Sequence, residues 1–256
     1  MTTQTTNIRY NSDGIVRWLD GFRDKWEDFY PSEKWAFEKL AGPAKVMGSI
    51  LDVGCAMGGL GLALTNRYEV ASYTGVDINR PALERALARK KEFPVPAQFI
   101  CDDILKVTDL PQEAYDIVFS LSCADWNIET HKIMSRCWEY LKPGGSFVIS
   151  LRLTDKEGIN DFSRSHQSIA VDEQGKAVES ANYVVFNWLE FLRLVKGLTP
   201  SPVRVSGYGY WGKPSSNAVT PYDRLVFGVM IVQKAEASDA GTEPVMDLNL
   251  PLTLVT

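Results

Sequence analysis

Histidine is scarce in this chain, with two in 256 residues, too few for a histidine-rich metal centre. The four cysteines, Cys55, Cys101, Cys123 and Cys137, form no CxxC pair. Three of them fall in or beside expected strands, so they read as reduced, buried thiols of a cytoplasmic protein rather than a disulfide framework. A surplus of positive charge is also missing. With 27 basic against 32 acidic residues the net charge is -5, which gives no general steering towards nucleic acid or an anionic membrane. No apolar run reaches the ~20 residues that span a bilayer, and none at the N-terminus resembles a signal peptide. Internal repeats are not apparent, and the GxGxxG pattern of dinucleotide-binding dehydrogenases does not occur in the glycine-rich stretch.

What is present is a chain with 45% hydrophobic residues, enough to bury a real core in one α/β domain with insertions or in two small ones. It is organised around Ile50–Gly59, where an apolar strand ends at Val53 and a glycine-rich turn leads into a helix starting near Gly59. Strand, tight turn and helix N-terminus together make a site for a nucleotide-like ligand. Gly54 lets the chain turn, and Gly58 and Gly59 allow close approach of a ligand or of helix to strand. Ala56 stands where a further glycine is usual and narrows the space beside a ligand.

The elements on either side follow the same logic. Ile15 to Tyr30 has a helical apolar stripe with Asp13 as a cap candidate, and Ser32 can cap a second helix that ends at Gly42-Pro43. These aromatic-rich helices either cover one edge of the sheet or form a lid. A second strand ends in Val76-Asp77-Ile78, about 20 residues beyond the glycine turn, where a carboxylate accepts hydrogen bonds from a ribose diol. Capping the next helix is the other reading of Asp77, and Asn79 can cap it as well. A third strand, 97–100, closes on Cys101-Asp102-Asp103-Ile104. Its acids suit an adenine amino group and Ile104 the ring, or they are solvated turn residues. Ala114 to Ser120 is a strong central strand, and Leu121 to Asn127 leaves its carboxyl end carrying Ser122, Asp125, Trp126 and Asn127. A helix over about 128–141 follows, with His131 as a partly exposed helix residue, and a Lys142–Gly145 turn precedes a strand over 146–151.

Taken in order, these motifs resemble the class I S-adenosylmethionine-dependent methyltransferases, strongly over about 46–153 and more weakly to 234. Leu51–Gly59 resembles the family's nucleotide-binding motif, Asp77 its ribose-binding acid, Asp102 the residue near adenine, Tyr115–Ser120 the fourth-strand motif and Leu141–Gly145 the turn before the fifth strand. The resemblance implies an α/β fold: a Rossmann-like, seven-stranded, mostly parallel sheet with helices on both faces and an antiparallel last strand beside the fifth. It implies S-adenosyl-L-methionine as cofactor, held by Asp52, Gly54, Cys55, Ala56, Gly58, Asp77, Ile78, Asp102, Asp103, Ile104, Ser120 and Leu121. Many small-molecule members carry a Glu-His pair after the fourth strand, whereas this chain has Asp125-Trp126, so no imidazole base stands there.

The second half departs from simple alternation. Residues 155–182 are polar, with a candidate hairpin of 169–171 and 176–178. Leaving the fifth strand's carboxyl end, this insertion is placed to cover a methyl acceptor. Arg152, Arg164 and His166 are candidate acceptor contacts or simply solvated, and Asp125 and His166 are the proton-handling candidates. A helix over 187–196, strands over 203–211 and 224–233 joined by a 213–222 loop, and a tail from 235 complete the chain. The expected organisation is a helical cap or lid over 1–45, a methyltransferase domain over 46–234 with an insertion at about 154–187, and a C-terminal tail over 235–256. The expected activity is methyl transfer to a hydroxyl or amine of a small organic acceptor, a natural product or a sugar. No metal, nucleic acid or membrane span is expected, and a homo-oligomer is allowed. A protein or RNA acceptor, or a binding module without turnover, is the alternative.

Overall fold

The computed structural model describes residues 23–171, 177–239 and 242–255. Strands β1 (Val46–Val53), β2 (Glu69–Asp77), β3 (Ala97–Cys101), β4 (Tyr115–Ser120) and β5 (Leu141–Thr154) form the parallel half of one sheet. Its order runs β12-β9-β11-β5-β4-β1-β2-β3, with β8 (Phe186–Asn187) paired to β5. β11 (Leu225–Lys234) lies antiparallel between β5 and β9 (Pro202–Gly212), the position the resemblance implied for the last antiparallel strand. The sheet has nine strands rather than seven. The additions are the two-residue β8 and β12 (Val245–Asn249), which joins β9 in parallel.

Alternation along the strands sends neighbouring side chains to opposite faces. Ile50, Ile117, Phe119 and Val148 pack with Ala36 and Phe37 of α1 (Pro31–Ala41) and with Leu60 and Leu64 of α2 (Gly59–Thr65). Leu51, Val118, Phe147 and Ile149 meet the other layer through Met134 and Trp138 of α4 (Thr130–Tyr140) and Phe191 and Val195 of α5 (Trp188–Lys196). Burial on both faces explains why the strands read as continuous apolar runs. α3 (Arg80–Ala88) packs on β2 and β3.

Several boundaries differ from the sequence expectation for local reasons. α1 starts at Pro31, whose fixed φ suits the first helical position, and Glu33 accepts a hydrogen bond from Tyr30 N at 2.9 Å. Ser32 is therefore inside the helix, not its cap. Of the first expected helix, Asp13 and residues up to 22 lie outside the described residues, and Trp26–Asp28 form a single 3-10 turn. Asn79, not Asp77, caps α3, with its Oδ1 accepting from Ala82 N at 2.9 Å. The Lys142–Gly145 turn is drawn into β5. In the insertion β6 (His166–Val171) and β7 (Ala177–Asn182) pair antiparallel over more residues than the expected hairpin, whose turn lies outside the described residues. A short β10 (Ala218–Val219), within the stretch read as a loop, joins β6.

Gly61 sets how closely α2 approaches β2. A Cβ there would fall 2.6 Å from the Tyr73 ring and 2.7 Å from Phe93, two rings stacked on each other with centroids 5.3 Å apart. Neither yields cheaply. For Gly61→Ala the overpacking cost of about 1 to 3 kcal/mol should outweigh the ~1 kcal/mol of helix propensity gained. A lowered midpoint in urea unfolding is the expected result; an unchanged or raised midpoint would contradict it.

Candidate active site

The parallel strands β1 to β4 deliver their carboxyl ends to one rim, and the loops leaving β1 and β4 diverge there, a topological switch point. After β1 the chain turns through Gly54 at φ 81° and Gly58 at φ 78°, both in the region that favours glycine. Ala56 also sits at positive φ, 47°, so it strains the backbone by roughly 1 to 2 kcal/mol as well as narrowing the space. The turn is tied to β2, because Gly54 N and Cys55 N donate to Val76 O at 2.8 and 3.2 Å. The Asp77 carboxylate completes the tie, with Oδ2 accepting from Ala56 N at 2.8 Å and Oδ1 from Asn79 N at 2.8 Å. Burial raises the Asp77 carboxyl above its ordinary value, and these main-chain donors pull it back.

Beyond β3, Asp102 is exposed and its Oδ1 accepts from Asp103 N at 2.7 Å. Asp103 is committed to its own turn, accepting from Leu105 N at 3.0 Å, and to Lys106 at 3.4 Å. Ile104 is buried and Ile78 is exposed. Behind the turn, Asp52 is buried with its Oδ2 accepting from the Tyr73 hydroxyl at 2.6 Å. Burial pushes Asp52 up to about 7, against the pull of that hydrogen bond. Burial likewise raises the Cys55 and Cys123 thiols well above the usual range, so neither is a nucleophile.

The opposite wall is built from charge pairs. Arg23 Nη2 contacts the carboxylate of buried Glu33, while Nη1 donates to Ser122 Oγ at 3.0 Å. The Arg23 carbonyl carbon and oxygen and the Asp24 carboxylate crowd Gly59, and Asp24 pairs with Arg89 at 2.9 Å. The segment from 23 therefore runs directly over the start of α2. On the other side Arg152 is buried. Its Nη2 reaches Asp125 Oδ2 at 3.1 Å and also the Asp125 carbonyl, its Nε donates to Val184 O at 3.1 Å, and its guanidinium lies 3.8 Å from the Tyr183 ring centre. Burial raises the Asp125 carboxyl, with Arg152 pulling it down.

A cavity of about 1220 Å³ joins these walls. Of the sequence-derived candidates, Asp52, Gly54, Cys55, Ala56, Asp77, Ile78, Asp102, Asp103, Ile104, Leu121 and Asp125 line it, as does Arg152. Three do not. Gly58 is covered by Phe99 and Phe93, so its missing side chain makes room for protein rather than ligand. Ser120 is fully buried and its Oγ accepts from Ala124 N at 3.2 Å, shaping the loop from behind. His166 falls on the other side of β6 from Gln167 and Ile169, which line the cavity; it stacks on Phe162 and its Nδ1 contacts Phe162 O at 2.9 Å. Arg164 is exposed and also outside the lining. Arg23, Glu33, Gln167 and Tyr183 line the cavity without having been singled out from sequence. Only strand alternation within the insertion offered a signal for Gln167.

Residues 50–145 match the family model described as a methyltransferase domain. Residues 50–145 therefore carry a methyltransferase domain. The fold around it is that of the class I S-adenosylmethionine-dependent methyltransferases. Malonyl-[acyl-carrier protein] O-methyltransferase of Priestia megaterium is 30% identical over 102 residues, 40% of this chain and 36% of that protein. Ajmaline N-methyltransferase of Rauvolfia serpentina is 24% identical over 199 residues, 77% of this chain and 65% of that protein. The chain thus spans from about a third to just under two thirds of these relatives' own lengths. Among solved structures, phosphoethanolamine N-methyltransferase 2 of Haemonchus contortus in complex with S-adenosyl-L-methionine superposes with a TM-score of 0.57 at 18% identity, covering 80% of this chain and 52% of that one. The 1,6-didemethyltoxoflavin-N1-methyltransferase of Burkholderia thailandensis, with 1,6-didemethyltoxoflavin and S-adenosylhomocysteine bound, gives 0.55 at 19% identity over 88% and 86% of the two chains.

The raised Asp52 carboxyl has a stability consequence in this methyltransferase. In the unfolded chain Asp52 ionises near its ordinary 3.8, but in the fold it stays protonated until about pH 7. The folded state therefore loses stability as pH rises across that interval and no more beyond it. Asp52→Asn should be more stable than the parent by about 1 to 3 kcal/mol at a pH of about 8, with the gain vanishing towards pH ~4. Denaturant titrations across that range check it; a gain independent of pH would assign the effect elsewhere.

Proposed function

We propose that this methyltransferase transfers the methyl group of S-adenosyl-L-methionine to a hydroxyl or amine of a small organic acceptor, of natural-product or sugar size. The observation that carries the reading is the cavity. At about 1220 Å³ it exceeds the ~300 to 1,000 Å³ of ordinary ligand pockets, so it has room for cofactor and acceptor together. The residues suit the cofactor. The Asp77 oxygens accept from the main-chain N–H groups of Ala56, Asn79 and Ile78 and, as a carboxylate with about four lone-pair sites, keep capacity for a ribose diol. Asp102 and Ile104 flank the adenine position, and the glycine turn with the α2 N-terminus takes the remainder. Bound there, the sulfonium supplies an electrophilic methyl group. The chain's own part is to align the acceptor for in-line displacement and to exclude water. Asp125, buried beside Arg152, is the proton-handling group of this proposal; His166, turned towards Phe162, has no part in it.

In this reading residues 1–45 and the insertion at about 154–187 cover the acceptor, 46–234 carry the chemistry, and the 235–256 tail is peripheral. The net charge of -5 supports a small molecule over RNA. Among the described residues no helix is long and apolar enough to cross a membrane; a cytoplasmic location and a homo-oligomer remain part of the proposal.

Tryptophan-fluorescence titrations with S-adenosylmethionine, S-adenosylhomocysteine and NAD, followed by transfer of labelled methyl groups into separated small-molecule, protein and RNA fractions, test this. Binding of both S-adenosyl ligands but not NAD, with label in the small-molecule fraction, is expected. Label only in protein or RNA overturns the acceptor class, and binding without transfer favours a non-catalytic module. Asp77→Ala should weaken S-adenosylhomocysteine binding by about 1 to 3 kcal/mol; unchanged affinity would remove the ribose assignment.

A further inference from the structure

The acceptor half of the cavity carries an imbalance of hydrogen-bonding groups. Among the described residues that line it, three buried side-chain oxygens have no hydrogen-bond partner within the protein: Asp125 Oδ1 and Gln167 Oε1, which act as acceptors, and the Tyr183 hydroxyl, which can also donate. Asp125 and Gln167 are 4% and 3% exposed, so bulk water does not supply one. A buried acceptor left unmatched costs about 1 to 3 kcal/mol, more when charged, so a donor arriving with the ligand would recover that cost. The Asp125 and Gln167 oxygens sit on different elements. Asp125 is in the loop after β4 and Gln167 on β6 of the insertion, which is fastened to that loop by Val184 N donating to Asp125 O at 3.0 Å.

Of the five cations that line the cavity, Arg80 and Lys106 stand beside the loops after β2 and β3, away from Asp125 and Gln167, and the other three are engaged. Arg152 is held by Asp125, by two carbonyls and against two aromatic rings, Trp126 and Tyr183. Arg23 is held by Glu33 and Ser122. Lys132, at the α4 side of the cavity, is paired with Glu129. Freeing either arginine would leave a buried carboxylate, Asp125 or Glu33, without its counter-charge, a change of several kcal/mol.

We propose that Asp125 and Gln167 form a specificity pair that selects a neutral or protonated acceptor through its N–H or O–H donors and rejects carboxylate and phosphate acceptors. This rests on the methyl-transfer reading and deepens it by naming the residues that choose the acceptor and the anionic class they exclude. Arg152 acts as a positioning residue, engaging Asp125 through Oδ2 and leaving Oδ1 without a protein partner. In transfer to an amine, a protonated acceptor first loses one N–H proton to water; the freed nitrogen lone pair then forms the new N–CH3 bond while the S–CH3 bond breaks with its electron pair left on sulfur. The N–H proton of the resulting ammonium leaves to the Asp125 carboxylate in its ionised form and on to water.

Three probes of one aromatic frame test the proposal: benzylamine, benzyl alcohol and benzoate. Each is titrated against the full chain saturated with S-adenosylhomocysteine, with binding read by calorimetry. The amine and the alcohol should bind at least tenfold more tightly than benzoate. Gln167→Leu should lose about tenfold in amine and alcohol affinity, the value of one hydrogen bond to a buried group, with S-adenosylhomocysteine affinity unchanged as the control for folding. Equal or tighter binding of benzoate, no binding of any probe, or an undiminished preference in a Gln167→Leu variant that still binds S-adenosylhomocysteine overturns the proposal. Failure of the parent chain to bind S-adenosylhomocysteine overturns the methyl-transfer reading itself, and this proposal with it.

Discussion

Asp77 holds together the two loops at the glycine-turn end of the cavity. Its oxygens accept from Ala56 N in the turn after β1 and from Asn79 N at the start of the turn after β2. Without that tie, Ala56 would have little reason to stay at a positive φ that its methyl group disfavours. The parallel pairing of β1 with β2 brings these loops side by side, but pairing alone does not set the path of an irregular turn. A buried carboxylate with fixed main-chain donors does, because leaving those donors unmatched in a buried site is costly. Asp77 therefore shapes the site even before any ligand reaches it.

The opposite wall is built on a different principle. Two ion pairs, Arg23 with Glu33 and Arg152 with Asp125, tie the segment before α1 to α1 and the loop after β4 to the end of β5. Buried pairs of this kind contribute little net stability, since desolvation offsets most of the attraction, but breaking one is expensive. Their effect is to define geometry. They fix which buried polar atoms remain without a protein partner, Asp125 Oδ1 among them.

The architecture was legible because it rests on local signals. Continuous apolar runs gave β1, β4 and β11, the glycines at 54 and 58 gave the turn, and Asp77 stood at the expected distance beyond it. Edges were less legible. The pairing of β8 and β12 depends on the neighbours β5 and β9, and nothing in their short sequences states it. Pro31 displaced Ser32 as the start of α1 because a fixed φ outranks a cap whose partner is not needed. On the site, Asp52, Asp77 and Asp102 reached the cavity as read, but Ser120 and Gly58 serve the protein behind it. Those two sit at motif positions, and a motif gives position along a strand without saying which way a side chain turns. Arg23, Glu33, Gln167 and Tyr183 were illegible for a deeper reason: each reaches the cavity only through the tertiary arrangement, as when Arg23 meets Ser122 and Tyr183 meets Arg152.

The crowding at Gly59 has a consequence for how the cavity is walled. Its φ lies outside the left-handed region, so α2 itself would accept another residue there; the obstacle is the Arg23 carbonyl, 2.5 Å from where a Cβ would stand. A side chain at this position would leave the helix intact and displace the segment lying across it. Arg23 would be carried off Glu33 and Ser122, and the cavity would lose that part of its wall. Gly59 is the seat on which the Arg23–Asp24 segment rests.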